Sequence, residues 1–536
     1  MLPQISLQEV SEVVGHGMNC LLSLTESYPY LYYAGGVVFA AIVSQWLAER
    51  RRNPRGLPYP PGPRGMPFIG AFYKIPETKP WAAYKEWSKK YGDLIFYKAM
   101  GQNYLIVQGV KEVNDLFEQR SAIYSDRPPQ PMATDLLGWK FNLGWHPYGP
   151  WWRRHRKAFH EHFNPNVIEK YDPVQNQEIH RVLGKLLREP ARFNDHIHNL
   201  LATIIMKVMY GITISDDHND PWMTTIFESL QTIGKAGIPG LYLVDHIPIL
   251  KHIPSWFPGA GFKREAERGK KVTDRLVMKP YEAVKESLRK GDAEPSVVAA
   301  LVSDLPAEND PTRAEEETIA ANIGAVVYIA GADSTASAML ACLLGLAMNL
   351  DAQRKAQAEI DEYVGPTRLP GVSDRPSLPY VDAIILETLR WHQVAPFAIA
   401  HMTSEDDEYD GYFIPKGTTV IGNAWSILHD EALFENPSDF NPDRYYNNPR
   451  TLKPDVTFGY GRRACPGRFF SDRNMFAMIS AILAVFDILP PLDEDGKPMK
   501  LDLNPTDGIQ SYPGPFSVRI IPRNENAAQL VRDLDA

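Results

Sequence analysis

The stretch FGYGRRACPGRFF, Phe458–Phe470, decides the fold of this chain. It places Cys465 in a turn of glycines and arginines with Pro466 directly behind it. A cysteine that serves packing normally sits among aliphatic residues. A tight glycine turn instead offers backbone N–H groups that stabilise a thiolate. The stretch therefore predicts a loop that presents the Cys465 sulfur as a ligand, with a helix beginning just after it.

The spacing in this loop is F-x-x-G-x-R-x-C-x-G, with fixed residues at Phe458, Gly461, Arg463, Cys465 and Gly467. Such a pattern arises by chance about once in a few million starting positions. It resembles the haem-binding loop of the cytochrome P450 monooxygenases, in which the cysteine thiolate is an axial ligand of haem iron. The resemblance implies haem b as the cofactor, Cys465 as the iron ligand, and Phe458 and Arg463 as haem contacts.

A second motif, ETLR, lies in the helix-like run YVDAIILETLRW. Its Glu387 and Arg390 are three residues apart and share a helix face. Exposed pairs of this kind are common and contribute under about 1 kcal/mol, but the apolar flanks here predict a buried pair that needs a further partner. The resemblance implies that this partner is Arg444 in FNPDRY, and that the three residues form a structural network behind the haem.

A third segment, from about Glu315 to Leu350, is apolar on nearly every side and predicts a buried helix about 50 Å long. It contains AGADST, in which a buried Asp333 is costly unless it has a role. Gly331 weakens the helix and leaves space beside its backbone. The resemblance implies that haem and oxygen occupy this space, with Gly331 as a cofactor contact.

The resemblance also implies that Asp333 and the hydroxyl residue after it relay protons during oxygen activation. That residue is Ser334, where the family usually has threonine. Thr335 is a further candidate, although it projects about 100° further round the helix. A helix bent by glycine and serine for packing is the alternative for Ser334.

The fourth segment is the basic run WWRRHRK, Trp151–Lys157. The resemblance implies that Trp152 and Arg156 contact the haem propionates, and that Arg463 and His401 complete a cradle of cations. The remaining cations predict a positive patch on which an acidic electron donor docks. Its members are Arg153, Arg154, Lys157, Arg462, Arg468 and Arg473.

The N-terminal part predicts a membrane anchor. Tyr28–Leu47 has no formal charge and is about long enough to cross a bilayer. Arginines follow from Arg50 onward, so the positive-inside rule places the large remainder in the cytosol. A cleaved signal peptide is the alternative, but it requires basic residues before the apolar run, where this chain has glutamates.

We therefore expect four segments and an endoplasmic reticulum location. They are a lumenal tail at 1–27, a transmembrane anchor at 28–49, a basic, proline-rich neck at 50–70, and a haem-thiolate monooxygenase domain at 71–536. The chain has 536 residues, 44% of them hydrophobic, which is enough for a large core. Its net charge of −9 argues against a nucleic-acid binder, and its three cysteines are too scattered for a disulfide framework.

Helix-like periodicity dominates residues 80–400, which predicts a mostly α fold with small peripheral β-sheets and a long central helix over haem. The family motifs occur in order from the anchor to about residue 520. The closest resemblance is to fungal microsomal members of the O-methylsterigmatocystin oxidoreductase and tryptamine hydroxylase types.

The resemblance implies a monooxygenase that inserts one atom of O₂ into a small, apolar secondary metabolite. NADPH–cytochrome P450 reductase would supply its electrons. A haem-thiolate isomerase or dehydratase, which needs no O₂, and a non-catalytic haem protein are the alternatives. The predicted walls of the substrate pocket are Phe141, Leu143, Val327 and the segment Val394–Ile399, in which Phe397 and Ile399 indicate an apolar ligand.

Overall fold

The computed structural model describes Gly36, Ser44, Leu47 and residues 50–66, 69–215, 220–238 and 241–535. The predicted lumenal tail at 1–27 lies outside the described residues. So does the predicted anchor at 28–49, apart from Gly36, Ser44 and Leu47, each of which is helical.

The chain divides into two compact units. The smaller one combines the chain up to Pro60 with Asp406–Ile414. Within it, Arg52 forms an ion pair with Asp406, and the Phe413 N–H donates to the Pro58 carbonyl at 2.8 Å. The larger unit contains the rest, from Pro61 to Glu405 and from Pro415 onward, so that the boundary falls inside the predicted neck.

Helices account for most of the larger unit. From Pro80 onward the α-helices are α1 Pro80–Tyr91, α2 Val110–Val113, α3 Pro150–Phe163, α4 Asp172–Arg188, α5 Phe193–Tyr210, α6 Pro221–Ala236, α7 Leu243–His246, α8 Gly261–Lys290, α9 Val297–Ser303, α10 Arg313–Met348, α11 Leu350–Tyr363, α12 Pro379–Trp391, α13 Ala424–Leu428, α14 Asp443–Tyr446, α15 Arg468–Val485 and α16 Glu525–Asp535. Short 3₁₀ and π turns connect several of them, including Asn114–Gln119, Met132–Leu136, Trp139–Phe141 and Asp455–Phe458.

The strands are β1 Leu94–Ala99, β2 Gln102–Val107, β3 His401–Met402, β4 Asp407–Tyr409, β5 Tyr412–Ile414, β6 Thr419–Gly422, β7 Phe486–Leu489 and β8 Arg519–Pro522. A four-stranded sheet has the order β1-β2-β6-β3, with β2 and β6 parallel and the other pairs antiparallel. The hairpin β4-β5 belongs to the smaller unit, and β7 pairs with β8. This arrangement confirms the prediction of a mostly helical chain with small sheets.

The long helix α10 forms the centre of the core, as its apolar sequence predicts. Its 36 residues span about 54 Å at 1.5 Å per residue. Glu315 and Glu316 lie in its first turn, where negative charge stabilises the helix dipole. It is long and apolar enough to cross a membrane, but 83% of its most apolar window is buried inside the protein. We therefore assign α10 as a core helix, which packs along α5.

Candidate active site

The cysteine loop owes its shape to two glycines with positive φ. Gly459 has φ of +82° and Gly461 has φ of +50°, a region that side chains disfavour. A Cβ at Gly461 would lie 2.1 Å from the carbonyl oxygen of Phe117, so no larger residue fits there. The Cys465 N–H donates to the Phe458 carbonyl at 2.7 Å, which closes the turn over the cysteine.

The Cys465 side chain lies at the start of α15 and lines a large cavity. The Cys465 thiol is exposed to the cavity. Desolvation by the surrounding protein raises its pKa, while the backbone N–H groups of Gly467 and Arg468 and the charges of Arg156 and Arg468 lower it. The first N–H groups of a helix have no partner within the helix and stabilise negative charge. The loop therefore supplies donors for a thiolate, and a metal bound to the sulfur would complete the deprotonation.

The cavity passes between α10 and the cysteine loop. Its wall comes from many elements and is mostly apolar. It includes Trp152, Arg156 and Phe159 of α3, Leu201, Ile204 and Ile205 of α5, Leu230 and Ile233 of α6, Val326, Val327, Gly331, Ser334 and Thr335 of α10, Phe470, Ser471 and Asn474 of α15, and Phe458 and Ile509 from loops.

Three arginines line this cavity without an acidic partner. Arg156 donates to the Ala464 carbonyl at 2.7 Å, Arg463 to Ser125 and His146 at 2.7 Å each, and Arg127 to Gly144, Ile399 and Ala400 at 2.7–2.9 Å. None of the three forms an ion pair with a described carboxylate. Burial lowers the pKa of all three, to about 10 for Arg463.

Arg127 and Arg463 are buried and Arg156 is half-buried. Asp126 attracts Arg127 and Arg463 without forming an ion pair with either. A ligand that brings further negative charge would therefore stabilise all three cations. The ring of Trp152 lies 4.5 Å from the Arg463 guanidinium and holds it against the cavity wall. A thiol ligand, an apolar slot and three unpaired arginines together fit haem, which offers a metal, a flat hydrophobic ring and two carboxylates. The side chains present are thus the ones that this cofactor requires.

His401 differs from the expectation that it is the third cation of the cradle. It is buried in β3, and its Nδ1 lies 2.6 Å from the Tyr124 carbonyl, which can only accept, so Nδ1 carries the proton. Burial and the charges of Arg127 and Arg463 keep the pKa of His401 far below its usual range. The ring lines the cavity as a neutral group. Arg127 supplies the third positive charge in the cavity wall instead. The sequence motifs did not single out this residue.

The side chains of the AGADST segment of α10 lie in two different environments. Gly331, Ser334 and Thr335 all line the cavity. A Cβ at Gly331 would lie 2.8 Å from Ile205 Cδ1, so α5 also needs the glycine there. The Ser334 hydroxyl donates to the Ala330 carbonyl at 2.7 Å.

The Thr335 hydroxyl reaches the Ser471 hydroxyl of α15 at 3.1 Å. Thr335 therefore lines the cavity even though it points about 100° away from Ser334 around the helix. The cavity extends to α15 on that side of α10.

Asp333 is the member of this segment that does not line the cavity. It is buried between α5 and a C-terminal loop, where the Tyr512 hydroxyl donates to Oδ2 and His198 Nδ1 lies 3.6 Å from Oδ1. Burial raises the pKa of Asp333, while the bond from Tyr512 and the charge of His198 lower it. Neither partner was evident from the sequence, since both lie more than a hundred positions away.

The structure brings Glu387, Arg390 and Arg444 together. Arg390 Nε and Nη2 donate to the two carboxylate oxygens of Glu387 at 2.7 and 2.8 Å, and both side chains are fully buried. Arg444 Nε lies 3.3 Å from Glu387 Oε1. Arg390 also donates to three carbonyls, those of Leu428, Pro437 and Asp439. The network ties α12 to the chain that leads into the cysteine loop.

The predicted pocket walls are right in part. Leu143, Val327, Val394 and Ile399 line the cavity, but Phe141 and Phe397 do not. The Phe397 ring packs 5.8 Å from Tyr84 and 6.3 Å from Trp81, away from the cavity.

Phe141 packs 5.2 Å from Trp139. Trp139, Trp145 and Ile509 line the cavity instead, and no local pattern marks them in the sequence.

The predicted positive patch is smaller than its six cations suggested. Arg154 pairs with Glu315 and Glu316, and Arg473 pairs with Asp172. Lys157 lies 3.8 Å from Glu161. The exposed cations that keep no described acidic partner are Arg153, Arg462 and Arg468.

Comparison with known proteins identifies the family of most of the chain. The cytochrome P450 family model matches residues 60–517. Cytochrome P450 monooxygenase COX1 of Coprinopsis cinerea is 41% identical over 522 residues, which is 95% of this chain and 100% of that protein. COX2 of the same fungus is 42% identical over 96% of this chain and 98% of its own length. Tryptamine 4-monooxygenase of Psilocybe cyanescens is 34% identical over 92% and 98%.

Proposed function

Because this chain belongs to the cytochrome P450 family and is a haem-dependent monooxygenase, we propose that it oxidises a small, uncharged and largely apolar molecule with electrons from an NADPH-dependent reductase. The observation that carries the substrate class is the cavity wall, which contains no described aspartate or glutamate and is mostly aliphatic and aromatic. An apolar ligand gains free energy from burial there, whereas an ammonium group would lose its hydration without a counter-ion.

The relative from Psilocybe cyanescens is named for tryptamine, a primary amine that is protonated at neutral pH. The cavity of the present chain lacks a described acid to receive such a cation. A neutral substrate therefore fits better than an amine, despite the overall likeness of the two proteins.

Haem, when bound, supplies oxygen activation at an iron that carries a thiolate ligand. Cys465 would hold the iron, and the backbone N–H groups of Gly467 and Arg468 would stabilise the negative charge on its sulfur. Arg127, Arg156 and Arg463 would bind the two propionates, with the Trp152 ring packed against Arg463. The apolar wall excludes water from the substrate, and the protein's remaining task is to deliver protons.

In this proposal Ser334 delivers the proton at the cavity wall, and Asp333, whose carboxyl faces Tyr512 and His198 outside that wall, is its source. The raised pKa of Asp333 allows its carboxyl to take up and release a proton closer to neutral pH than an exposed aspartate does. Ser334 follows directly and borders the cavity. The Ser334 hydroxyl donates a hydrogen bond to the Ala330 carbonyl, so its oxygen can still accept a hydrogen bond from another group. Thr335 remains the neighbouring hydroxyl on the side of α15.

Replacing Ser334 with alanine should uncouple the enzyme. The helix, the cavity and the substrate-binding spectrum should stay close to those of the parent, because only one hydroxyl is lost. NADPH oxidation should continue while product per NADPH falls about 10-fold or more, in line with the loss of a general-acid contact, with hydrogen peroxide making up the difference.

Ser334→Thr is the matched control and should keep the coupling of the parent. Asp333→Asn should slow NADPH oxidation itself, because an amide does not transfer a proton as a carboxyl does. Full coupling in Ser334→Ala would assign the relay to another group, and Thr335→Val would then be the next variant to measure.

The reaction class is tested by reconstitution with a fungal NADPH–cytochrome P450 reductase under ¹⁸O₂. We expect NADPH-dependent product that carries one ¹⁸O atom. Product that forms without NADPH and without label would instead indicate an isomerase or dehydratase. For docking of the reductase, the surface offers Arg153, Arg462 and Arg468, the exposed cations of the predicted patch that have no described acidic partner.

The enzyme is anchored in the endoplasmic reticulum membrane by residues 28–49, with the catalytic unit in the cytosol. The charge-free run Tyr28–Leu47 and the arginines that follow support this placement. A second apolar surface lies between α7 and α8, where large hydrophobic side chains are exposed. They include Leu243, Ile247, Ile249, Trp256 and Phe257, with Trp256 77% exposed.

Deleting residues 1–50 should release most of the protein from microsomes and leave the haem spectrum intact. A cut at this point keeps Arg52 and Arg55, which pair with Asp406 and Glu408. The measurement is sedimentation of the truncated chain with membranes. Retention on the membrane would show a second attachment site, and adding Ile249→Asp and Trp256→Asp to the truncation would test the apolar surface for it.

A further inference from the structure

The carboxyl group of Asp333 lies between two partners that differ in how they titrate. The Tyr512 hydroxyl donates to Oδ2, and His198 Nδ1 lies 3.6 Å from Oδ1. Burial and the charge of Asp333 hold the pKa of Tyr512 far above the neutral range, so its phenol stays protonated. An imidazole, by contrast, gains and loses a proton near neutral pH. Of these two partners, only His198 can therefore exchange protons with Asp333.

His198 connects this buried carboxyl to the surface. Its side chain is 16% exposed, whereas that of Asp333 is 4% exposed. The imidazole lies on α5, with the Phe227 ring of α6 6.3 Å away, and Phe227 is itself 43% exposed. Water therefore reaches the imidazole at the surface between these two helices. This route bypasses the substrate cavity, because neither His198 nor Asp333 lines it.

The electrostatics of the pair bring the pKa values of the two groups closer together. Burial lowers the pKa of His198, while the charges of Asp333 and of Asp195, three residues earlier in α5, raise it. Burial raises the pKa of Asp333, while the hydrogen bond from Tyr512 and the charge of His198 lower it. The net shift is downward for the imidazole and upward for the carboxyl. A proton therefore moves between them at a smaller free-energy cost than between the same groups in water.

We propose that His198 is a proton inlet, the group through which protons from solvent reach Asp333. The imidazolium releases a proton from Nδ1 and the carboxylate takes it on Oδ1, which leaves a neutral imidazole and a carboxylic acid. Water then protonates the imidazole again, and Asp333 passes its proton toward Ser334. The separation of 3.6 Å exceeds a hydrogen bond, so the imidazole turns toward Oδ1 for the transfer. This inference rests on the proposed function and extends its proton relay to the surface.

The first measurement asks whether solvent reaches His198 and whether Asp333 controls its charge. Diethyl pyrocarbonate acylates neutral imidazole, and peptide mass spectrometry resolves His198 among the 14 histidines of the chain. In the full-length holoenzyme we expect modification of His198 that becomes faster as the pH rises and the imidazole loses its proton. Asp333→Asn removes an attractive charge and should shift this pH dependence to lower pH. A His198 that stays unmodified, or a pH dependence that Asp333→Asn leaves in place, would overturn the inlet.

The second measurement separates proton delivery from folding. The probe is 7-ethoxycoumarin, a neutral aromatic ether, and the oxidant is either O₂ with NADPH and reductase or cumene hydroperoxide. The hydroperoxide is already reduced and protonated, so oxidation by it needs fewer protons from the protein. We expect His198→Gln to lower the reductase-driven rate about 10-fold, less than the loss of a general acid at the reacting atoms. The hydroperoxide-driven rate should stay unchanged. The loss should be largest at acidic pH, where the imidazole of the parent is protonated.

Two further variants isolate the role of the titrating proton. His198→Arg keeps a positive partner for Asp333 but does not release its proton, so it should be as slow as His198→Gln. His196→Gln is the matched control, since His196 lies two residues earlier in α5 and its Nε2 lies 3.1 Å from the Glu189 carbonyl. This control should change neither rate.

Full reductase-driven activity in His198→Arg would overturn the inlet, because His198 would then act only as a positive charge. Equal losses with both oxidants would overturn it too, since they indicate a structural role. If the parent oxidises the probe with neither oxidant, NADPH-dependent oxygen consumption without substrate replaces the reductase-driven rate and must fall in His198→Gln. Failure of the proposed function has a different signature, which is a parent holoenzyme without the red-shifted ferrous–CO band.

Discussion

Cys465→Ala will lose the red-shifted Soret band of the ferrous–CO adduct, together with all monooxygenase activity. That band depends on electron donation from a thiolate, which water or imidazole does not reproduce. The loop around Cys465 is closed by its own backbone, through the bond from the Cys465 N–H to the Phe458 carbonyl, so the loop shape should survive the substitution. The ferrous–CO difference spectrum of the purified variant is the measurement.

Cys342→Ala is the matched control for this prediction. Cys342 is fully buried in α10, and burial raises the pKa of its thiol to about 12, so it stays protonated. The control should keep the band and the activity. A red-shifted band in Cys465→Ala would contradict the assignment of the ligand.

Glu387→Gln will prevent most of the protein from accumulating in a folded, haem-loaded form. The substitution leaves Arg390 fully buried without its counter-charge, and breaking a buried pair costs about 3–5 kcal/mol. The total free energy of unfolding of a folded domain is about 5–15 kcal/mol. We expect a large drop in the denaturation midpoint and in haem content per chain, measured by urea unfolding and by absorbance.

A second pair in the chain has the same geometry on the surface. Arg289 Nε and Nη2 donate to the two oxygens of Glu286, three residues earlier in α8, at 3.0 and 2.8 Å. Both side chains are exposed, so Glu286→Gln should leave the free energy of unfolding nearly unchanged. If the two substitutions had equal effects, burial would not be what makes the Glu387 network matter.

The sequence predicted structural features correctly wherever the interactions that determine them lie close together in the chain. The glycines of the cysteine loop, the apolar run of α10 and the spacing of Glu387 and Arg390 each follow from neighbours within one turn or one helix. The positive φ values at Gly459 and Gly461 give the reason for two of the glycines. The spread of secondary structure, with long helices and short strands, follows from the same periodicities.

Contacts between distant segments could not be predicted in this way. Arg127 precedes two prolines in an ordinary loop, and only the fold places it beside Arg463. Asp333 faces Tyr512 and His198 because α5 and a C-terminal loop meet there.

The sequence does not show whether the Phe397 side chain points into the cavity, because a loop has no regular repeat that fixes which side chains point inward. The positive patch has fewer unpaired cations than predicted for a similar reason. Glu315, Glu316 and Asp172, which lie on other helices, pair with Arg154 and Arg473.

The central claim is that the sulfur of Cys465 binds haem iron. Resonance Raman spectroscopy of the ferric protein tests it most directly, using protein grown with ³⁴S-labelled cysteine and carrying the substitutions Cys20→Ala and Cys342→Ala. Cys465 is then the one cysteine left in the chain. We predict an iron–sulfur stretching band that moves to lower frequency with ³⁴S. A haem-loaded protein without any ³⁴S-sensitive band would contradict the account.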